Sequence, residues 1–405
     1  LVARRVSGGN GPQKTLPPSL LARAGLRNSL TCFGPWTPLY LLFWAATLVR
    51  LLHEPLSGPD LEFRWSFLAE QMLRLGTLDF YPPRSAADFT DYFWLESIPP
   101  GASALHAWAF ACAGRASLLW AAPAVLLQLW AIHELLWHTA DRIGGRHAAR
   151  YAVLAAAACP LLTWSVLLGQ ESGLTTVSLI GIAFALQAWG QSRTTGWAAL
   201  AGIFATLGAA AREYGLVFPV LAAAGLALHR ADRRAWFAFL ACAALSVIWP
   251  LRTALLTGNP FYSLATLPVF PTNPRFLAWI EQDATTLGAI LQSTQGWRDT
   301  LRYLVLFALP ALVGWAALVR FSFQRQRAMA WMLGAVLVSL GLWVASVRYT
   351  SGGLFYSLRV ASPALALGAL AAGIGLAHAT ERRSRFARWA TGALGGILLF
   401  SLAGV

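Results

Sequence analysis

Charge is scarce in this sequence. Asp, Glu, Lys and Arg make up 12% of its 405 residues, against 57% hydrophobic residues and a mean hydropathy of +0.55. A soluble domain carries about 25% charged residues, so half of the usual solvating surface is missing. That shortage excludes a soluble globular enzyme, a disordered chain and a nucleic-acid binder of the ordinary kind. Cysteine is scarce as well: Cys32, Cys112, Cys159 and Cys242 form no close pair, which suggests neither a disulfide framework nor a thiolate metal site. No GxGxxG or P-loop occurs, so nucleotide binding has no support. His133-Glu134-Leu135-Leu136-Trp137-His138 has the look of a zinc helix, but its histidines are five apart. On a helix they point about 140° away from each other and cannot share an ion.

What is present is apolar length. A bilayer crossing needs about 20 mostly apolar residues. Runs of that kind lie near 36–53, 118–138, 148–168, 172–190, 197–211, 215–229, 236–256, 302–320, 328–346, 356–379 and 389–405. The expected fold is an all-α polytopic membrane protein with about eleven transmembrane helices. A twelfth apolar stretch, 99–114, is short, opens with Pro99-Pro100-Gly101 and contains His106. Charge placement decides its role. If it does not cross, the N-terminus and the segments 139–150, 190–196, 229–235, 320–327 and 380–388 share one side, with 19 basic residues and, counting Glu134 at the adjoining end of the run 118–138, four acids. The other side holds 12 basic residues and 13 acids. Cytoplasmic loops are rich in Lys and Arg, so the first side reads as the cytoplasm and the net charge of +14 is a topology signal. The stretch 99–114 is therefore expected to lie at the outer interface.

This reading divides the chain into a basic cytoplasmic tail, 1–35, and a membrane domain, 36–405, with long outer loops at 54–117 and 257–301. The chain starts at Leu1 and stops within an apolar run at Val405, as a piece truncated at both ends would. The first loop holds eight acids: Glu54, Asp60, Glu62, Glu70, Asp79, Asp88, Asp91 and Glu96. Within it, Leu61, Trp65, Leu68, Met72 and Leu75 have the spacing of an amphipathic surface helix.

The candidate chemistry sits at the outer ends of spans. Asp60 and Glu62 follow the first span directly; Asp60 could cap the surface helix, or serve as a general base at the membrane rim. Glu171 opens the fourth span with no basic neighbour in sequence, a costly place for a carboxylate unless it faces a polar cavity. Arg212 lies between two short spans, where it could pair with Glu213 or clamp a phosphate. Arg252 and Arg359 lie near outer helix ends, and Glu96 closes the acidic stretch. Several arginines on one rim suit an anionic headgroup.

These features in their order resemble the GT-C superfamily of membrane glycosyltransferases, nearest its protein mannosyltransferases and its lipid A aminoarabinose transferase. The likeness rests on an acid just after the first span, a long acidic outer loop and Pro99-Pro100-Gly101 before an interfacial helix. It also rests on the turn Ala140–Arg150, on Gly258-Asn259-Pro260-Phe261-Tyr262 and on Arg359-Val360-Ala361-Ser362-Pro363. The resemblance implies an inverting transfer of a sugar from a polyprenyl-phosphate donor to a cell-envelope lipid, glycan or protein, at the outer face of a bacterial inner membrane. It implies Asp60 as acceptor-activating base, with Glu62 beside it, and Glu171 as the second acid, where relatives usually carry Asp. It places Arg212, where relatives often carry Lys, with Arg252, Arg359 and Glu96 in the substrate and lipid-phosphate set. Val360 stands where many relatives have Tyr, and no basic residue precedes Pro99. No cofactor is required by this reading, although a divalent metal near Asp60 and Glu171 would be compatible with it. The competing reading is a transporter or lipid flippase. Transporters carry ionisable residues near the midplane, whereas the acids here crowd an outer loop.

Overall fold

The computed structural model describes residues 33–54, 56, 58, 60–94, 96–262, 270, 292–322, 327–347, 353–381 and 385–404. Most of the expected basic tail and most of the second long loop lie outside these residues. Among the described residues the only regular structure is helical. The chain runs through α1 (Thr37–His53), α2 (Phe67–Leu75), α3 (Gly101–Ala113), α4 (Leu118–Ala157), α5 (Pro160–Leu167), α6 (Glu171–Ser192) and α7 (Thr195–Ala211). It continues through α8 (Val217–Leu228), α9 (Arg233–Ala243), α10 (Ile248–Thr257), α11 (Thr294–Ser322), α12 (Arg327–Ser346), α13 (Ser362–Glu381) and α14 (Arg385–Gly404).

Every one of the eleven apolar runs falls on helix. Six helical stretches are long and apolar enough to cross a membrane among the described residues, and three shorter apolar helices accompany them. The difference from eleven comes mainly from breaks and reversals. A straight helix of forty residues, the length of α4, would be about 60 Å long, twice the hydrocarbon thickness. Instead α4 turns at Gly145, which takes φ 74° and ψ −177°, a backbone state open chiefly to glycine. Its first arm runs parallel to α6. A Cβ on Gly173 would meet the Gln128 side chain, while Arg142 and Gln191 exchange hydrogen bonds of 2.9 and 3.0 Å. The second arm returns with α5, from Arg150 beside Gly34 to Gly169, whose carbonyl lies 2.8 Å from His106 Nε2. The turn thus falls inside the segment 139–150 where charge placement expects one.

α13 is the axis of the bundle. Its residues from Ser362 to Ile374 are all buried, and it packs against α4 and α11. Small residues allow this. A Cβ on Gly314 would overlap the Gly368 carbonyl oxygen, and one on Gly373 would overlap the Ala152 backbone. Inside lipid, where hydrophobicity does not drive helices together, close backbone approach supplies the packing. Gly314→Leu is therefore expected to push α11 off α13 and cost about 1–3 kcal/mol, as overpacking does. The check is thermal unfolding in detergent, and an unchanged midpoint contradicts the packing account.

The first loop folds as expected and forms its own small core. Leu61, Trp65 and Leu68 are buried, Glu62 and Glu70 are exposed, and Leu68, Phe80, Tyr81 and Tyr92 cluster under Trp94 and Trp249. α3 has 13 residues, about 20 Å of helix, too short for a span of about 30 Å. It packs on α2 and α4 at the loop end of the bundle. Gly101, the first residue after Pro99-Pro100, lets α3 approach α7: a Cβ there would overlap the Ala210 carbonyl.

Candidate active site

One end of the bundle gathers a set of charges that lie far apart in sequence. Asp60 begins the widened helical turn Leu61–Ser66, but its side chain makes no capping hydrogen bond. Its carboxylate points inward instead. Tyr356 Oη donates to Asp60 Oδ2 at 2.8 Å, and the guanidinium groups of Arg64 and Arg359 each come within 3.6 Å of the same oxygen. The Asp60 side chain retains 11% exposure, so the carboxylate is enclosed without being sealed.

Glu171, the first residue of α6, is fully buried. Arg359 Nη1 donates to its Oε1, and Arg212 Nη1 stands 4.0 Å from the same atom. Arg212 holds an extended backbone, φ −159° and ψ 154°, at the break between α7 and the turn Glu213–Leu216. Its Nε also meets Glu213 at 3.3 Å. A helix break lined by such groups is tolerated at membrane depth only where it faces protein or a cavity. Arg359 therefore links the two expected acids, lying against Asp60 on one side and Glu171 on the other. Four buried polar atoms here, Glu171 Oε2, Ser172 Oγ, Arg212 Nη1 and Arg359 Nε, take no hydrogen bond. Buried polar atoms are nearly always bonded, so this concentration marks a place suited to a polar ligand.

Glu96 belongs to the edge of the same cluster. Arg64 Nε lies 2.9 Å from it and Tyr92 Oη donates to it at 2.8 Å. Burial pushes the Glu96 carboxyl up from its ordinary value, while Arg64 and the Tyr92 hydroxyl pull it down. Arg64 also stacks 5.1 Å over Trp94, so its position is set from three directions.

Two expected residues stand apart. Glu62 is exposed, on the side of its turn away from Asp60 and Arg64. Arg252 serves the scaffold: its guanidinium donates to the carbonyls of Tyr81 and Leu78, both at 2.7 Å, and stacks 5.0 Å over Trp249. Trp249 in turn donates to the Ser97 carbonyl at 2.7 Å. These contacts tie the first loop to α10. Removing them by Arg252→Met is expected to speed tryptic cleavage at exposed Arg84 by about tenfold or more, since bonds from a charged donor carry the tether. An unchanged cleavage rate contradicts that role.

The Arg359 guanidinium lies against the carboxylates of both Asp60 and Glu171, and among the described residues no group of three or more His, Cys, Asp or Glu is placed to hold a metal. His133 and His138 are likewise separated: His133 is buried against Tyr40, 2.9 Å away, while His138 is exposed beside Glu134. Arg64, Tyr356 and Gln170 join the site without having been singled out in the sequence, although the spacing of Asp60 and Arg64, one helical turn, was a signal for their pairing.

No family model matches the chain, and no curated protein matches it in sequence. Solved structures do. An oligosaccharyltransferase from Archaeoglobus fulgidus, in complex with zinc and sulfate, is 13% identical over 89% of this chain and 52% of that one, with a TM-score of 0.55. AglB from the same organism, in complex with an inhibitory peptide and a dolichol-phosphate, is 12% identical over 90% and 54%, with a TM-score of 0.50. The fold is GT-C-like. The chain spans about half the length of these oligosaccharyltransferases. ArnT from Cupriavidus metallidurans in the apo state also aligns, at 17% identity over 84% of this chain and 77% of that one, with a TM-score of 0.44. At these identities the fold alone is what the chain shares with the two oligosaccharyltransferase structures.

Proposed function

We propose that this protein is an integral-membrane glycosyltransferase that moves a sugar from a polyprenyl-phosphate donor to a cell-envelope acceptor. The observation that carries the reading is Asp60: a partly open carboxylate held at the rim of a GT-C-like bundle, beside a buried set of arginines. The dolichol-phosphate bound to AglB supports a lipid-phosphate donor for a chain of this fold.

In the proposed reaction Asp60 takes the proton of an acceptor hydroxyl. The acceptor oxygen bonds to the anomeric carbon as the bond from that carbon to the phosphate oxygen breaks. The electron pair leaves on the polyprenyl phosphate, and attack from the opposite face inverts the anomeric centre. Arg212 is the guanidinium with the most room for the leaving phosphate; its side chain is 16% exposed, and its Nη1 takes no hydrogen bond. Such preorganised charge contributes about 3–4 kcal/mol to transfer reactions. Arg359 and Glu171 link Asp60 to Arg212 through successive ion pairs.

Orientation follows from charge. Arg142, Arg146, Arg150, Arg193, Arg230, Arg233 and Arg234 belong to turns at the end of the bundle opposite Asp60. Basic loops face the cytoplasm, which supports a periplasmic site and a cytoplasmic N-terminus in a bacterial inner membrane. The test is incubation of purified protein with a panel of radiolabelled polyprenyl-phosphate sugars and membrane extract as acceptor. Consumption of one donor with release of polyprenyl phosphate supports the proposal. Movement of intact lipid between leaflets without bond cleavage would instead identify a flippase.

A further inference from the structure

All three neighbours of the Asp60 carboxylate lie on one oxygen. Tyr356 Oη donates to Oδ2 at 2.8 Å, and Arg64 Nη1 and Arg359 Nη2 each stand 3.6 Å from it. Oδ1 takes no partner among the described residues and is not an enclosed atom. The Tyr356 hydroxyl is itself fixed: Gln170 Nε2 donates to it at 2.7 Å, and its own proton has two acceptors, Asp60 Oδ2 at 2.8 Å and Gln170 Oε1 at 3.0 Å, of which the carboxylate is the nearer and the charged one. The phenol ring is held as well, by the Arg359 guanidinium 4.5 Å over its face and by the edge of Trp164, with ring centroids 6.2 Å apart. Gln170 is buried and positioned by its place directly before Glu171, and a Cβ on Gly58 would press on its amide. A hydrogen-bonded chain therefore runs from Gln170 through Tyr356 to Asp60 Oδ2.

We infer that Tyr356, oriented by Gln170, is a positioning residue that holds Asp60 so that Oδ1 is the oxygen that receives the acceptor proton. The inference rests on the reading of Asp60 as the base. A carboxylate bonded by a charged or neutral donor on one oxygen loses torsional freedom at its terminal bond, and the free oxygen then faces a fixed direction. Losing the hydrogen bond from Tyr356 should therefore lower kcat while donor KM stays near wild type, a split that a purely structural role for Tyr356 would not produce. The other charges facing Asp60 remain in the variant: Arg64 from its own turn and Arg359 from the segment before α13, with Glu96 behind the first, and Glu171 and Arg212 behind the second.

The experiment measures kcat and donor KM separately for the full chain in detergent, with the donor consumed in the panel above, in wild type, Tyr356→Phe and Asp60→Asn. Tyr356→Phe keeps the ring and its stacking and removes only the hydroxyl. The expected result is a fall in kcat of about tenfold with little change in donor KM. A wild-type kcat in Tyr356→Phe, with Asp60→Asn inactive, overturns the positioning role and leaves the function standing. Wild-type turnover in Asp60→Asn overturns the reading of the base itself. Should Tyr356→Phe fail to accumulate as folded protein, Gln170→Met breaks the chain one link earlier. It is expected to lower kcat in the same way, and an unchanged kcat there overturns the inference equally.

Discussion

Asp60→Asn is expected to lower sugar transfer by about 10²–10⁴-fold, the usual range for losing a general base. The substitution keeps the side-chain size and can still accept from Tyr356, so the bundle and the lipid site should persist. Donor binding, measured by thermal shift with polyprenyl phosphate, is expected to stay near wild type. The two measurements together separate a chemical role from a structural one. Asp60 also neutralises part of the charge on Arg64 and Arg359, so some loss of stability is expected. That loss should be small beside the kinetic effect, because both arginines keep a second carboxylate: Glu96 for Arg64 and Glu171 for Arg359.

The second large effect is on folding. Glu171 has no exposure, and Arg359 is nearly as deep. Removing one member of such a pair strands the other charge away from water, at a cost of about 3–5 kcal/mol. Glu171→Ala is therefore expected to destabilise the protein strongly, and more than Glu171→Gln, which retains an acceptor for Arg359. Replacing both members, Glu171→Leu with Arg359→Met, should recover much of the stability, since the penalty belongs to the stranded charge. Activity should not return in that double variant, because Arg359 also holds Asp60. Unfolding midpoints of the singles and the double form a cycle that decides it. Additive losses would mean that the two side chains are not coupled.

The spans were legible because apolar length needs no knowledge of neighbours. Charge asymmetry then excluded 99–114 as a crossing, and α3 is indeed too short to cross. The reversal inside 139–150 was legible from its basic residues, and Gly145 is the residue whose backbone accomplishes it. Half of the site was legible for the same local reasons: Asp60, Glu171 and Arg212 lie at helix ends where an isolated charge is hard to keep. Its pairing was not. Tyr356 and Asp60 are separated by 296 positions, and Arg359 and Glu171 by 188, and these contacts depend on how helices pack rather than on any local pattern. Glu62 shows the converse. Two residues beyond Asp60, it shares the composition of the site but lies about half a helical turn away, on the exposed side. Arg252 is at a helix end like the others, yet Trp249, one turn earlier on the same face, directs it to the loop carbonyls.

The most direct test compares wild type and Asp60→Asn, at equal amounts of folded protein, for release of polyprenyl phosphate from a radiolabelled donor in the presence of acceptor. The account predicts acceptor-dependent release with wild type and near-background release with Asp60→Asn. Equal release by the two proteins, or intact donor with both across the whole panel, would contradict it.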